Sequence, residues 1–175
     1  MRSLSRDEAD LLSSLEALAP EASLPGFDPL GGGLGARLLI LLEKPSGLAH
    51  ENAVVSPDNG ERNTVRLLLE RAGVPRTEVL IWNAVPWWNG TAKVTAGERR
   101  LGADALRKLI VSMPNLRAAA LAGRTAETVW QQSRAGAVPV FVSAHPSPNV
   151  RAGYPERWNA IPGIWREAYE ASVLA

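Results

Sequence analysis

The chain has 175 residues, 46% of them hydrophobic and 21% charged, with a formal net charge of +1. That length and balance suit one globular domain with its own core, residues 1–175, and exclude a polycation, so a nucleic-acid partner would have to be held by a local basic surface. The absence of cysteine excludes disulfides, thiolate nucleophiles and cysteine-held zinc or iron–sulfur sites and fits a cytoplasmic location, nucleoid-associated if the source is prokaryotic. The N-terminus MRSLSRDEADLL carries acids early, so no signal peptide is expected, and no run reaches the ~20 apolar residues of a membrane span.

Residues 5–18 form an amphipathic helix by pattern. Ser5 and Glu8 have capping-box spacing, and Leu11, Leu12, Leu15 and Leu18 recur at helical period. The Pro/Gly-rich stretch that follows, up to residue 36, reads as an irregular surface connection. Its GGGLG precedes the first strand instead of following it, which argues against a phosphate loop. From residue 37 the chain alternates. Strands are expected over Arg37–Leu42, Glu78–Asn83, Leu116–Leu121 and Val138–Ser143. Helices are expected over Asn63–Ala72, Gly97–Met113 and Arg124–Arg134, with one or two helical pieces over Pro155–Ser172, broken near Pro162 and Gly163.

Such alternation predicts an α/β fold, a four-stranded parallel sheet flanked by helices on both faces. Ligands of these sheets bind outside the carboxyl ends of the strands. The segments there are Glu43-Lys44-Pro45-Ser46, Asn83 to Trp88, Ala122-Gly123-Arg124-Thr125 and Ala144-His145-Pro146-Ser147-Pro148. They concentrate the unusual polar and aromatic residues.

His145 is one of two histidines and follows a strand of buried type, where it can donate to an anion developing on a leaving group. His50 reads as a solvated loop residue. Asn83 offers one acceptor and two donors, enough to read the edge of a base, or else to cap a turn. Trp87 and Trp88 can stack bases or pack helix on sheet. Glu43 and Asp58 are the carboxylates best placed to orient water. Sixteen arginines against three lysines suit phosphates, though genome composition would give the same bias.

Together the four segments resemble the uracil-DNA glycosylase superfamily, in that family's chain order over residues 37–151. Val140 to Pro148 is similar to the strand and histidine loop of its classical members. Leu80 to Val85 resembles the strand ending in the asparagine that reads uracil. Leu39 to Ser46 resembles the first motif, and Ala119 to Gly123 the third strand. The resemblance implies a monofunctional enzyme of base excision repair that flips uracil from DNA and cleaves its glycosidic bond, without metal or organic cofactor, and works as a monomer. Flipping costs a few kcal/mol. Asn83 would read uracil and His145 would stabilise the departing anion, with Lys44, Ser46, Val55 and Trp87 around the base. Ser147, Pro148, Asn149, Val150, Arg151 and Arg124 would contact DNA.

The departures matter. The aspartate of the classical first motif is replaced by Lys44, which cannot act as that carboxylate. Asp58 stands roughly where other branches keep one and is the first choice for it, with Glu43 second. Val54 and Val55 replace the usual stacking aromatic. Ser46 replaces the tyrosine that excludes thymine, which leaves room for 5-substituted uracils. The cysteine ligands of the iron–sulfur branch are absent. Two alternatives stand beside the uracil reading. One is a catalytically silent member binding DNA or a free base. The other is a glycosylase for another deaminated base such as hypoxanthine.

Overall fold

A computed structural model gives the fold and describes residues 3–45, 54–55 and 64–174. Four strands form one parallel sheet: β1 (Leu38–Leu42), β2 (Val79–Asn83), β3 (Ala118–Ala122) and β4 (Val140–Ser143), in the order β2-β1-β3-β4. The helices are α1 (Arg6–Glu16), α2 (Thr64–Ala72), α3 (Ala96–Val111), α4 (Arg124–Ser133), α5 (Pro148–Gly153) and α6 (Pro155–Leu174). Helices cover both faces: α3 and α4 pack together on one, α2 and α6 on the other. The chain runs outward from β1 to β2, then crosses back to β3 on the other side. The switch point therefore lies between the ends of β1 and β3.

The continuous apolar runs are buried as expected of strands covered on both faces: Leu38 to Leu41 and Ala118 to Ala120 are sealed from solvent. The fourth strand departs from that pattern. β4 is an edge strand, and its Val140 and Val142 remain 40% and 46% exposed while Ser143 is buried. An apolar run alone does not distinguish the two placements.

The expected capping box is present in full. The Ser5 N–H donates to Glu8 Oε2 (2.9 Å) and the Glu8 N–H to Ser5 Oγ (3.2 Å). The Pro/Gly-rich connection is no mere surface strap. Phe27, Asp28 and Leu34 are buried, Phe27 stacks on Trp82 at 4.9 Å, and Arg76 grips Asp28 with two nitrogens at 2.7 and 2.8 Å. GGGLG supplies a 3₁₀ turn, Gly33–Gly35, whose Leu34 N–H donates to Glu8 Oε1 (3.4 Å). Its role here is packing.

Two helical features differ from expectation. α6 runs unbroken through Pro162, because Trp158, Ile161, Trp165, Ala168 and Ser172 recur at intervals of three and four and are all buried. That stripe outweighs the one backbone hydrogen bond a proline removes. The residues after His145-Pro146 form the short helix α5 instead of a loop. Ser147 Oγ accepts from the Val150 N–H (3.3 Å), and Pro148 takes the first helical position, where its missing N–H costs nothing.

Candidate functional site

Strand register brings the four carboxyl ends to one level. Leu42 lies beside Asn83, Leu41 beside Leu121 and Ala122 beside Ser143. Backbone bonds continue the pairing past the strands. The Val85 N–H donates to the Glu43 carbonyl and the Gly123 N–H to the Ser143 carbonyl, both at 2.9 Å. Gly123 has φ +93°, and a Cβ there would stand 3.0 Å from His145 Cβ. Only glycine fits that close approach without strain.

Glu43, Thr125 and His145 gather at the switch point. The Thr125 hydroxyl, in the first turn of α4, donates to Glu43 Oε2 at 2.7 Å. Burial pushes the His145 imidazole below its ordinary value, and the nearby Glu43 carboxylate offsets that only in part. The ring is therefore neutral at neutral pH, one nitrogen a donor and the other an acceptor. Asn83 is 4% exposed, and its amide makes no hydrogen bond among the described residues. Its polar atoms are not sealed, so the amide is available to a ligand.

Lys44, placed at the base by the resemblance, points elsewhere. Its ammonium donates to Asn89 Oδ1 (2.7 Å), the Lys93 carbonyl (3.1 Å) and Glu98 Oε1 (2.7 Å), which uses all three donors. Only 2% of its side chain is exposed. Glu98 in turn closes a capping box with Thr95 at the start of α3. Partial burial pushes the Glu98 carboxyl up, yet the Lys44 ammonium and Thr95 outweigh this and hold it below its ordinary value. Consecutive residues of the turn thus diverge, Glu43 toward α4 and Lys44 toward α3. The charge of Lys44, which stands in place of the classical aspartate, is met by Glu98.

Trp87 also lies elsewhere than expected. It is buried with its indole N–H donated to the Leu15 carbonyl (3.0 Å), so it packs α1 and is not presented to a base. Val55 is buried, its N–H donated to the Gly26 carbonyl (2.8 Å). Ser147, Pro148, Asn149, Val150 and Arg151 follow the histidine on α5, and Arg124 opens α4, with Pro148, Asn149, Arg151 and Arg124 exposed. Ser46 and Asp58, and with them one of the two candidate carboxylates, lie outside the described residues. Two residues of this region escaped the sequence reading. Thr125 lies inside one of the four strand-end segments, where a lone threonine carries no signal of its partner. Glu98 was legible as the end of the capping-box pattern Thr95-x-x-Glu98.

The fold and these groups define a class: an open parallel α/β sheet whose strand ends carry a carboxylate, a neutral imidazole and an amide without a partner among the described residues. The model of the Uracil DNA glycosylase superfamily matches residues 30–167, and the chain belongs to that superfamily. No curated protein matches the chain. Membership supports a glycosylase-type function with DNA as the substrate.

Proposed function

We propose that the protein is a monofunctional DNA glycosylase that removes uracil, or a related deaminated or 5-substituted base, from DNA. The observation that carries this reading is Asn83: a strand-end amide without a hydrogen-bond partner among the described residues, at the same end of the sheet as His145 and Glu43. The amide atoms are open to solvent and unpaired among the described residues, which leaves their hydrogen bonds for a ligand. An amide pairs with uracil's N3–H and O4, and cytosine exchanges that donor and acceptor.

In the proposed reaction the bond between uracil N1 and the sugar C1′ breaks, and its electron pair stays on uracil. The neutral His145 ring donates a hydrogen bond to O2 of the departing anion. Water adds to C1′ and loses a proton. Glu43 orients that water and faces the developing positive charge on the sugar. Asp58 is the other candidate for this task. Uracil leaves after protonation, and the DNA keeps an abasic site.

A silent member would be expected if Lys44 set its charge against the cationic sugar. Its pairing with Glu98 favours the enzymatic reading instead. The test uses labelled single- and double-stranded oligonucleotides with one uracil, treated with alkali after incubation. Strand cleavage is expected, and its absence at stoichiometric protein with DNA binding intact would overturn the proposal. Hypoxanthine, xanthine and 5-hydroxymethyluracil run alongside identify the preferred base. His145→Ala should slow single turnover by ~10²-fold or more, the scale of a lost oxyanion donor. Asn83→Asp should impair uracil cleavage more than DNA binding. Glu43→Gln and Asp58→Asn, compared in the same assay, should separate the two carboxylates.

A further inference from the structure

A glutamate has three side-chain torsions, and one that must face a reacting centre needs something to fix them. Glu43 is held by a residue 82 positions away, through the 2.7 Å bond from the Thr125 hydroxyl to Oε2. Oε1 accepts nothing among the described residues. The bond comes from the first turn of α4, a favourable place for a carboxylate because the helix N-terminus carries partial positive charge. The same helix start fixes the histidine, since Gly123, the residue that caps α4, abuts His145 Cβ.

We propose that Thr125 is a positioning residue that clamps Glu43 through one oxygen and leaves the other aimed at the reacting centre, in register with His145. The beginning of α4 then sets the carboxylate and the imidazole together. The proposal rests on the glycosylase reading for its catalytic consequence, but the clamp itself is testable without turnover.

The test compares Thr125→Val, which keeps the shape and removes the hydroxyl, with Thr125→Ser, which restores it. Both are made alone and with Glu43→Gln, and thermal melting verifies folding. Thr125→Ala replaces the valine variant should that one unfold. In single-turnover cleavage of uracil-containing DNA, Thr125→Val should lose about tenfold in rate, the worth of one hydrogen bond to a charged group, with DNA affinity unchanged. Thr125→Ser should recover most of the loss, and Thr125→Val should cost nothing further once Glu43 is Gln. An equal loss in both backgrounds, or none in either, would overturn the clamp.

The second readout is NMR titration of the imidazoles, of which the chain has only two, His50 and His145. The Glu43 charge raises the His145 midpoint. Releasing Glu43 by Thr125→Val should therefore lower that midpoint toward the value in Glu43→Gln, with Thr125→Ser near wild type. An unmoved His145 midpoint overturns the clamp. If wild-type protein fails to cleave any of the damaged bases while His145 still responds, the glycosylase reading falls and the clamp stands.

Discussion

A lysine with 2% of its side chain exposed persists only if its charge is met, and Lys44 depends on Glu98 for that. Removing one partner of a buried pair strands the other. Glu98→Ala should therefore destabilise the fold by about 3 kcal/mol, read by urea unfolding, whereas an exposed surface pair would give under about 1 kcal/mol. The Glu98 carboxyl is held below its ordinary value, so its contribution is complete above the usual carboxylate range and disappears as pH falls through the lowered folded value. His145 gives a second acid-side dependence. Its folded value is also lowered, so below about pH 6.5 the unfolded chain binds the proton more readily than the folded one. Stability should rise with pH up to that point, and His145→Ala should flatten that part of the unfolding-versus-pH curve.

Helix placement is decided at points of close approach. A Cβ on Gly102 of α3 would collide with the Ala84 carbonyl, closer than any real contact. Gly102→Val should push α3 off the turn that carries Asn83, costing about 1–3 kcal/mol by overpacking and impairing uracil cleavage along with stability. In α6, Pro162 is tolerated and not required. Pro162→Ala should restore a helical hydrogen bond and raise the melting temperature by about 2–4 °C per kcal/mol gained. A fall in melting temperature would mean that the proline's shape matters to the packing of Trp158 and Trp165. Trp165 also ties α6 to the site, because its indole N–H donates to Ser143 Oγ (3.1 Å) two residues before His145.

Across the whole molecule, net charge hides a polarity. Although the chain totals only +1, the segments that follow the strand ends hold Lys93, Arg99, Arg100, Arg124, Arg151 and Arg157 against the acids Glu98, Glu127 and Glu156. Arg151 lies over the Trp158 ring at 5.6 Å and Arg157 over Tyr154 at 5.3 Å, contacts that hold both guanidinium groups beside the histidine segment. Such a rim matches a phosphate backbone and explains how a nearly neutral protein would hold DNA. Binding should weaken steeply with salt. Arg124→Gln and Arg151→Gln should each reduce the slope of log K against log salt by about 1 if the residue meets a phosphate. Fluorescence anisotropy at a series of salt concentrations measures this, and an unchanged slope would remove that residue from the interface.

The strands, their parallel order of use and the strand-end positions of Glu43, Asn83 and His145 were legible in the sequence, because apolar runs and helical periods are local properties and the carboxyl ends follow from them. The edge position of β4 was not, since an apolar run reads alike in the centre of a sheet and at its rim. Nor was the direction of side chains in a turn. Whether Lys44 faced the sugar depended on acceptors 45 to 54 residues away, and the aim of Glu43 on a hydroxyl 82 residues away. The lysine that argued against catalysis and the glutamate proposed to support it are neighbours in the chain. Tertiary structure alone sends them to different helices, because each charged group goes where a hydrogen-bonding partner completes it.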